Sequence, residues 1–353
     1  METYAWGVIL NNNTCSDERI WQEVVRSRFS NEPMHLPGYA SLFARPSDRV
    51  MCALCISDSG SVIYPFVLRP LHIEKFTPAH LGHSWDVVSP YGYGGPILLG
   101  GQPSSQSVSA FWQGLTEWMM SHKVVSEFVR FPLGGHDNAG YPGEIEVRGR
   151  NVVRRLDTGI DVWMEFDHKV RKNVNRAREL GVEVVYDEGS RLEHFISIYT
   201  STMARRSADS RYHFDARFFS QMQHTLADNL KFFYAIVEGK VVSTELVLLS
   251  EKTIYSFLGG TDESYYRYRP NDLLKYEIIR WGQYTAREQY VLGGGYCGED
   301  GIFQYKHSFA PKGCIDFKVG KRILDEKVFA ELVCAREKYS QPINHDFFPS
   351  YRS

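Results

Sequence analysis

The chain has 353 residues, of which 43% are hydrophobic and 23% charged, with a formal net charge of -2. That length supports two substantial cores, and the charge excludes a generally basic surface, so any polyanionic partner must meet a local patch. An aromatic share of 14% points to large cores or a ring-lined ligand groove.

Met1 to Asn13 lacks the basic start and apolar core of a signal peptide, and no apolar run is long enough to span a bilayer. Ile20 to Phe29 has helical spacing and leads into a turn-rich stretch through Pro33, Pro37 and Gly38. Val50 to Ile56 and Ser61 to Leu68 flank S-D-S-G, a hairpin signal. Cys52 and Cys55 form a C-x-x-C on the first of these strands, which puts them on opposite faces and argues against a metal pair. Six cysteines in this length do not make a disulfide scaffold, so a reducing, cytoplasmic setting is expected. The glycine and aromatic segment Ser89 to Pro96 reads as an ordered loop. Val108 to Met120 is expected to be helical, and Ser126 to Phe131 a strand.

A second unit is expected to begin near Arg155. Phe166, Val170, Val174 and Ala177 recur at helical spacing, with Lys169, Arg171, Lys172, Arg176 and Arg178 on the same segment, before Gly181 stops the helix. A strand through V-E-V-V-Y, a helix from Leu192 to Met203, and a helix capped by Asp215 follow. Lys231 to Val237 and Val241 to Leu249 make a hairpin across E-G-K, and Thr253 to Leu258 is a neighbouring strand. Pro270 starts a helix with Leu274, Ile278 and Trp281 on its apolar face. Tyr290 to Leu292 enters a glycine cluster, L-G-G-G-Y-C-G-E-D-G, and Phe303 to His307 leaves it as a short alternating run read as a strand. Glycine there implies unusual dihedrals or a close backbone approach, and Lys306 brings a positive charge beside it. Asp325 to Lys338 is the final helix. Helices alternating with hairpin strands give an α/β class with mixed sheets.

Several phrases, in order, resemble the FemA/FemB/FemX family of peptidyl transferases. They are P-Y-G-Y-G-G-P at Pro90 to Pro96, R-K-N-V-N-R-A-R-E-L-G-V at Arg171 to Val182, and T-M-A-R-R-S-A-D-S-R-Y-H-F at Thr202 to Phe214. F-L-G-G at Phe257 to Gly260 and L-G-G-G followed by G-I-F-Q-Y-K-H-S-F complete the set. Tyr305 stands where the family usually has phenylalanine. The resemblance implies two GNAT-like acyltransferase domains: residues 156–315 as domain 2, with 1–155 and 316–353 as domain 1, and an acceptor groove across them. It implies transfer of an amino acid from aminoacyl-tRNA, a co-substrate with no tightly bound cofactor, to an amine. The acceptor would be peptide-bearing, nucleotide-linked or lipid-linked, with peripheral membrane contact in the lipid-linked case.

By the same resemblance, Lys306 would stabilise the developing oxyanion, a task that suits an ammonium in a water-poor site. Arg205 would hold acceptor phosphates through its planar donors, although the adjacent Arg206 leaves the register open. Tyr91 and Tyr93 resemble acceptor-contacting positions or else pack their own loop, and Tyr212, near the arginine phrase, sits beside the acceptor or packs in the core. From the residues themselves, Lys169, Arg171, Lys172 and Arg176 are candidates for a tRNA or phosphate contact, or simply a solvated helix face. His136 and Asp137 do not reproduce H-H-x-x-x-D-G, and Glu299, Asp300 and His307 fix no metal site. Two other functions remain open. One is an acyl-CoA-dependent N-acyltransferase, for which R-Y-R-P-N-D-L at Arg267 to Leu273 is the nearest pyrophosphate cradle but lacks the usual glycines. The other is a non-catalytic precursor-binding protein.

Overall fold

A computed structural model describes residues 1–102, 105–134, 138–157, 159, 161–339 and 342–353; His136 and Asp137 lie outside the described residues. The chain divides into two compact units, one of Met1–Phe29, Met34–Arg148 and Asp316–Ser353, the other of Ser30–Pro33 and Gly149–Ile315.

In the first unit, β1 (Glu2–Tyr4) and β2 (Gly7–Asn11) are antiparallel. Helix α1 (Cys15–Arg28) places Asp17 and Glu18 in its first turn and Arg26 and Arg28 in its last, charges that oppose the helix dipole favourably. After α2 (Pro37–Leu42), β3 (Arg49–Cys55) and β4 (Ser61–Pro70) form the expected hairpin, with Cys55 opposite Val62. Both strands are buried almost throughout, which leaves Cys52 and Cys55 as free, buried thiols. Then come β5 (Trp85–Val88), β6 (Ile97–Leu99), α3 (Gln106–Ser121) and β7 (Val124–Arg130). The Ser105 hydroxyl caps α3 by accepting from the Val108 N–H.

Strand β8 (Glu144–Arg155) leads into the second unit. Helix α4 (Val162–Glu165) precedes α5 (His168–Glu179), which buries Val170, Val174 and Ala177 as their spacing predicts. Gly181, at φ 73°, lets the chain turn out of that helix into β9 (Glu183–Asp187). Helix α6 (Leu192–Arg205) is followed by α7 (Ala216–Thr225), where Asp215 accepts from the Phe218 N–H as a cap. Strands β10 (Leu230–Val237) and β11 (Lys240–Leu249) are joined through Glu238 and Gly239, at φ 51° and 77°. Two left-handed residues are what a tight two-residue hairpin turn requires. Strand β12 (Thr253–Thr261), α8 (Pro270–Tyr284), β13 (Gln289–Gly293) and α9 (Gly301–His307) complete the unit. The chain then returns through β14 (Cys314–Ile323) and α10 (Glu326–Tyr339).

Within the first unit the strand order is β1-β2-β3-β4-β5-β7-β14, with β6 on β4; within the second it is β8-β13-β12-β11-β10-β9. Strand β5 pairs parallel with β7 and β12 with β13, and each of these pairs is connected through a helix, α3 or α8. The second unit's core gathers Val170, Val174, Phe233, Val247, Leu274 and Ile278 between the sheet and helices α5 and α8. Burial of such side chains contributes roughly 1.5–3 kcal/mol each against full exposure.

The segment Phe303 to His307 differs from its expected strand. It is most of α9, because Asp300 accepts from the Ile302 and Phe303 N–H groups and so supplies a helix N-cap. Its rings then meet at helical spacing. Phe303 stacks near His307 with centroids 5.9 Å apart, and Tyr305 meets Phe309 edge-on at 5.3 Å.

Candidate functional site

The second unit holds a polar centre built around α9. Strand β13 ends at Gly293 (φ 84°), and Gly298 is also left-handed at φ 60°. A Cβ on Gly295 would stand 2.3 Å from the Gly298 carbonyl oxygen and 2.5 Å from an Asp300 carboxylate oxygen. The glycines therefore serve a loop that folds tightly on itself around Asp300. That carboxylate accepts from four backbone N–H groups, of Tyr296, Cys297, Ile302 and Phe303. Burial alone would push the Asp300 carboxyl up, but these donors bring it below the usual carboxylate range.

Capping at Asp300 sets the phase of α9 and with it the direction of Lys306. Its Nζ donates to the Gly294 carbonyl at 2.7 Å. Burial of the ammonium pulls its pKa down to about 8; the Lys275 charge adds to the fall, while Glu245 and Asp300 oppose it. The result is a lysine that changes charge near neutral pH.

Those two further charges form a buried pair. Lys275, on α8, donates from Nζ to both Glu245 carboxylate oxygens at 2.6 Å, to Ser256 Oγ at 3.0 Å and to the Tyr290 hydroxyl oxygen at 3.1 Å. The Tyr290 hydroxyl also donates to Glu245. Side-chain exposure is 7% for Lys275 and 4% for Glu245, so the pair is well shielded from water. Alongside it, Asn271 Nδ2 donates to the Tyr305 hydroxyl at 2.9 Å and ties α8 to α9. Sequence inspection missed this cluster. A signal was present: glutamate inside the apolar run of β11, and lysine between Asn271 and Ile278 on the apolar face of α8.

Arg205, at the C-terminal end of α6, donates from Nη2 to the Thr261 carbonyl at 3.3 Å, approaches Glu263 at 3.6 Å, and lies 5.5 Å from the Tyr266 ring centre. Arg206 is the exposed C-cap of the same helix. Tyr212 is half-buried; its carbonyl accepts from the Tyr199 hydroxyl at 2.6 Å, and its ring lies 6.4 Å from that of Tyr296 in the glycine loop. Thus the structure brings Tyr212 beside the loop that leads to Lys306. Glu299 is paired with Arg150 at 2.7 Å and His307 stacks on Phe303, so neither is poised as a ligand. Among the described residues no group of three or more His, Cys, Asp or Glu side chains could hold a metal ion.

On α5, Arg171 turns back to the Met164 carbonyl at 3.1 Å and also bonds the Phe166 carbonyl. Arg176 approaches Glu179 at 3.4 Å, while Lys169 and Lys172 are exposed. The four expected basic contacts therefore do not form one uniform face. Tyr91 and Tyr93 belong to the first unit. The Tyr91 carbonyl accepts from the Tyr39 hydroxyl at 3.0 Å with its ring 5.3 Å from Phe43, and the Tyr93 ring meets Phe317 at 5.7 Å. Burial pushes the Tyr93 hydroxyl well up, with the nearby Tyr91 adding to the rise.

Residues 165–307 match the family model described as an acetyltransferase (GNAT) domain, a span that holds Lys306, Lys275, Glu245, Arg205 and Tyr212. Over 206 residues the chain is 31% identical to UDP-N-acetylmuramoylpentapeptide-lysine N(6)-alanyltransferase of Weissella viridescens, covering 56% of this chain and 59% of that protein. The chain thus spans less than two thirds of the length of that relative. The crystal structure of FemX superimposes with a TM-score of 0.69 at 12% identity, over 89% of this chain and 98% of FemX. The C-terminal domain of a putative lysylphosphatidylglycerol synthetase from Agrobacterium fabrum does so with a TM-score of 0.54 at 11% identity, over 90% and 96%. The chain therefore has the FemX fold, and residues 165–307 carry the sequence signature of a GNAT domain. Among the described residues no helix is long and apolar enough to cross a membrane.

Proposed function

We propose that the chain is an aminoacyltransferase that moves an amino acid from aminoacyl-tRNA to an amine on a cell-envelope precursor or peptide-like metabolite. The observation that carries this reading is Lys306, an ammonium in a desolvated site held 2.7 Å from the Gly294 carbonyl at the end of the glycine loop. The relative named for alanyl transfer to a lysine amine points to the same chemistry. A neutral primary amine on the acceptor attacks the ester carbonyl. The new C–N bond forms, and the carbonyl oxygen takes the negative charge, which Lys306 is placed to stabilise. Collapse then breaks the ester C–O bond. One proton leaves the amine and one reaches the departing ribose oxygen, through substrate groups, water or a lysine whose pKa lies near 8.

In the same reading Arg205 or Arg206 and Tyr212 meet the acceptor, Tyr91 and Tyr93 are further acceptor-contact candidates, and the exposed cations of α5 meet the tRNA. Duplication of a GNAT-like domain, with 156–315 as one copy and 1–155 with 316–353 as the other, is supported by a helix-crossed parallel strand pair in each unit's sheet. A cytoplasmic setting accords with a donor that is charged tRNA, and a lipid-linked acceptor would bring the protein to the membrane surface.

The GNAT match keeps acyl-CoA as a second donor class. The start of α8 weighs against it. Asp272 lies buried in the first turn there and accepts from Asn173 at 3.1 Å, which puts a carboxyl where a pyrophosphate would need backbone donors. Reactions supplied in parallel with a charged-tRNA pool or an acyl-CoA pool and a broad amine panel, read by mass spectrometry, decide between them. Amide formed only from charged tRNA is expected; amide formed only from acyl-CoA overturns the reading.

A further inference from the structure

The Glu245–Lys275 pair is almost wholly buried, and its elements are those that frame Lys306. Glu245 is on β11, Lys275 on α8, Ser256 on β12 and Tyr290 on β13, so one charge pair fastens three strands and a helix. Breaking such a pair is strongly destabilising, whereas a neutral pair of similar shape often is not. Stability alone therefore does not explain why two charges occupy this place. Their position does: α8 is tied to α9 through Asn271 and Tyr305, and Lys306 is the next residue along.

Resting on the function proposed above, we infer that Lys275 and Glu245 are positioning residues for Lys306, acting through their field and through the α8–α9 tie without touching substrate. The charges that act on Lys306 are Lys275 from α8, Glu245 from β11 and Asp300 from the cap of α9. Tyr290 and Tyr305, both with hydroxyls pushed well up by burial, stay neutral. Lys275 disfavours the protonated form of Lys306, and the two carboxylates favour it. Burial is the main cause of the low Lys306 pKa, and the two members of the pair adjust it in opposite directions.

The inference gives opposite signs for its two members. Removing the Lys275 charge in Lys275→Met should move the titration of Lys306 upward, by on the order of one pH unit for a nearby like charge. Removing the Glu245 charge in Glu245→Gln should move it downward. Lys275→Arg keeps a charge that cannot be lost and should leave the midpoint close to that of the parent. Competitive acylation of the full chain with acetic anhydride over a pH series, quantified by mass spectrometry of the Lys306 peptide, reads the midpoint directly. Circular dichroism checks that each variant is folded. Opposite shifts for the Met and Gln variants support the inference, and unmoved midpoints in folded variants overturn it. Should Lys275→Met not fold, Glu245→Gln decides alone: a downward shift supports the pairing, and no shift overturns it. Because the titration needs no substrate, its failure leaves the proposed reaction standing, and a failure of amide synthesis leaves the titration standing.

Discussion

At the scale of single residues, Lys306 combines two properties that make a pH profile informative: a desolvated ammonium and a pKa near 8. Lys306→Met removes the charge and should lower amide formation by about 10²–10³-fold, the scale of losing one oxyanion donor, with little change in fold. The acceptor amine must be neutral to attack, so the rate rises with pH at first. It should then fall as pH passes about 8 and Lys306 loses its proton. Lys306→Arg, charged throughout, should lack that alkaline fall; a parent and an Arg variant with the same limb would count against the oxyanion role. The sign for stability is separate. The folded pKa lies below the ordinary value of 10.5, so the folded state binds fewer protons than the unfolded one between about 8 and 10.5, and stability should rise with pH across that window. Arg205 and Arg206 can be separated in the same way. Arg205 is tied to Thr261, Glu263 and Tyr266, so Arg205→Ala should lower thermal stability by about 1 kcal/mol of lost bonding. The exposed Arg206→Ala should leave stability unchanged, and whichever variant raises the acceptor KM identifies the contact.

At the scale of elements, α9 depends on Asp300. Asp300→Ala removes the acceptor of four backbone N–H groups and should cost about 1–2 kcal/mol or more, with Lys306 losing its fixed direction. Equilibrium denaturation measures the loss. Because the folded Asp300 carboxyl lies below its ordinary value of 3.8, its stabilisation is complete above that pH and disappears as pH falls through the lower folded value. Much of this unit was legible from periodicity: the buried stripe of α5, the Asp215 cap of α7 and the Glu238–Gly239 hairpin turn all follow from local rules. The glycine cluster also signalled a close approach. Within the protein, Gly295 closely approaches the Gly298 carbonyl and the Asp300 carboxylate. Phe303 to His307 was misread because five residues satisfy period two and period 3.6 almost equally, and only the long-range role of Asp300 as a cap decides. Lys275 and Glu245 escaped notice for a related reason. Each stands as a charge in an apolar stretch, but the partners lie thirty residues apart and nothing local pairs them.

At the scale of the molecule, the net charge of -2 makes any tRNA contact a matter of where cations are exposed together. Arg171 bonds the Met164 and Phe166 carbonyls, which sets it apart from the other cations of α5. Lys169, Lys172 and Arg176 remain on exposed positions of α5, the last with only a surface pairing to Glu179, which is worth little. If these three meet the donor's backbone, replacing all of them with glutamate should weaken tRNA binding and flatten its salt dependence by about two to three units of slope, since each phosphate contact contributes roughly 0.7–0.9. Binding of small amine acceptors should be untouched, because the substitutions lie on the solvent side of α5, away from its buried Val170, Val174 and Ala177. A salt slope that is the same in parent and variant would make α5 a solvated face and move the donor to another surface. A flattened slope with intact acceptor binding would place the tRNA along α5, on the same unit that carries Lys306.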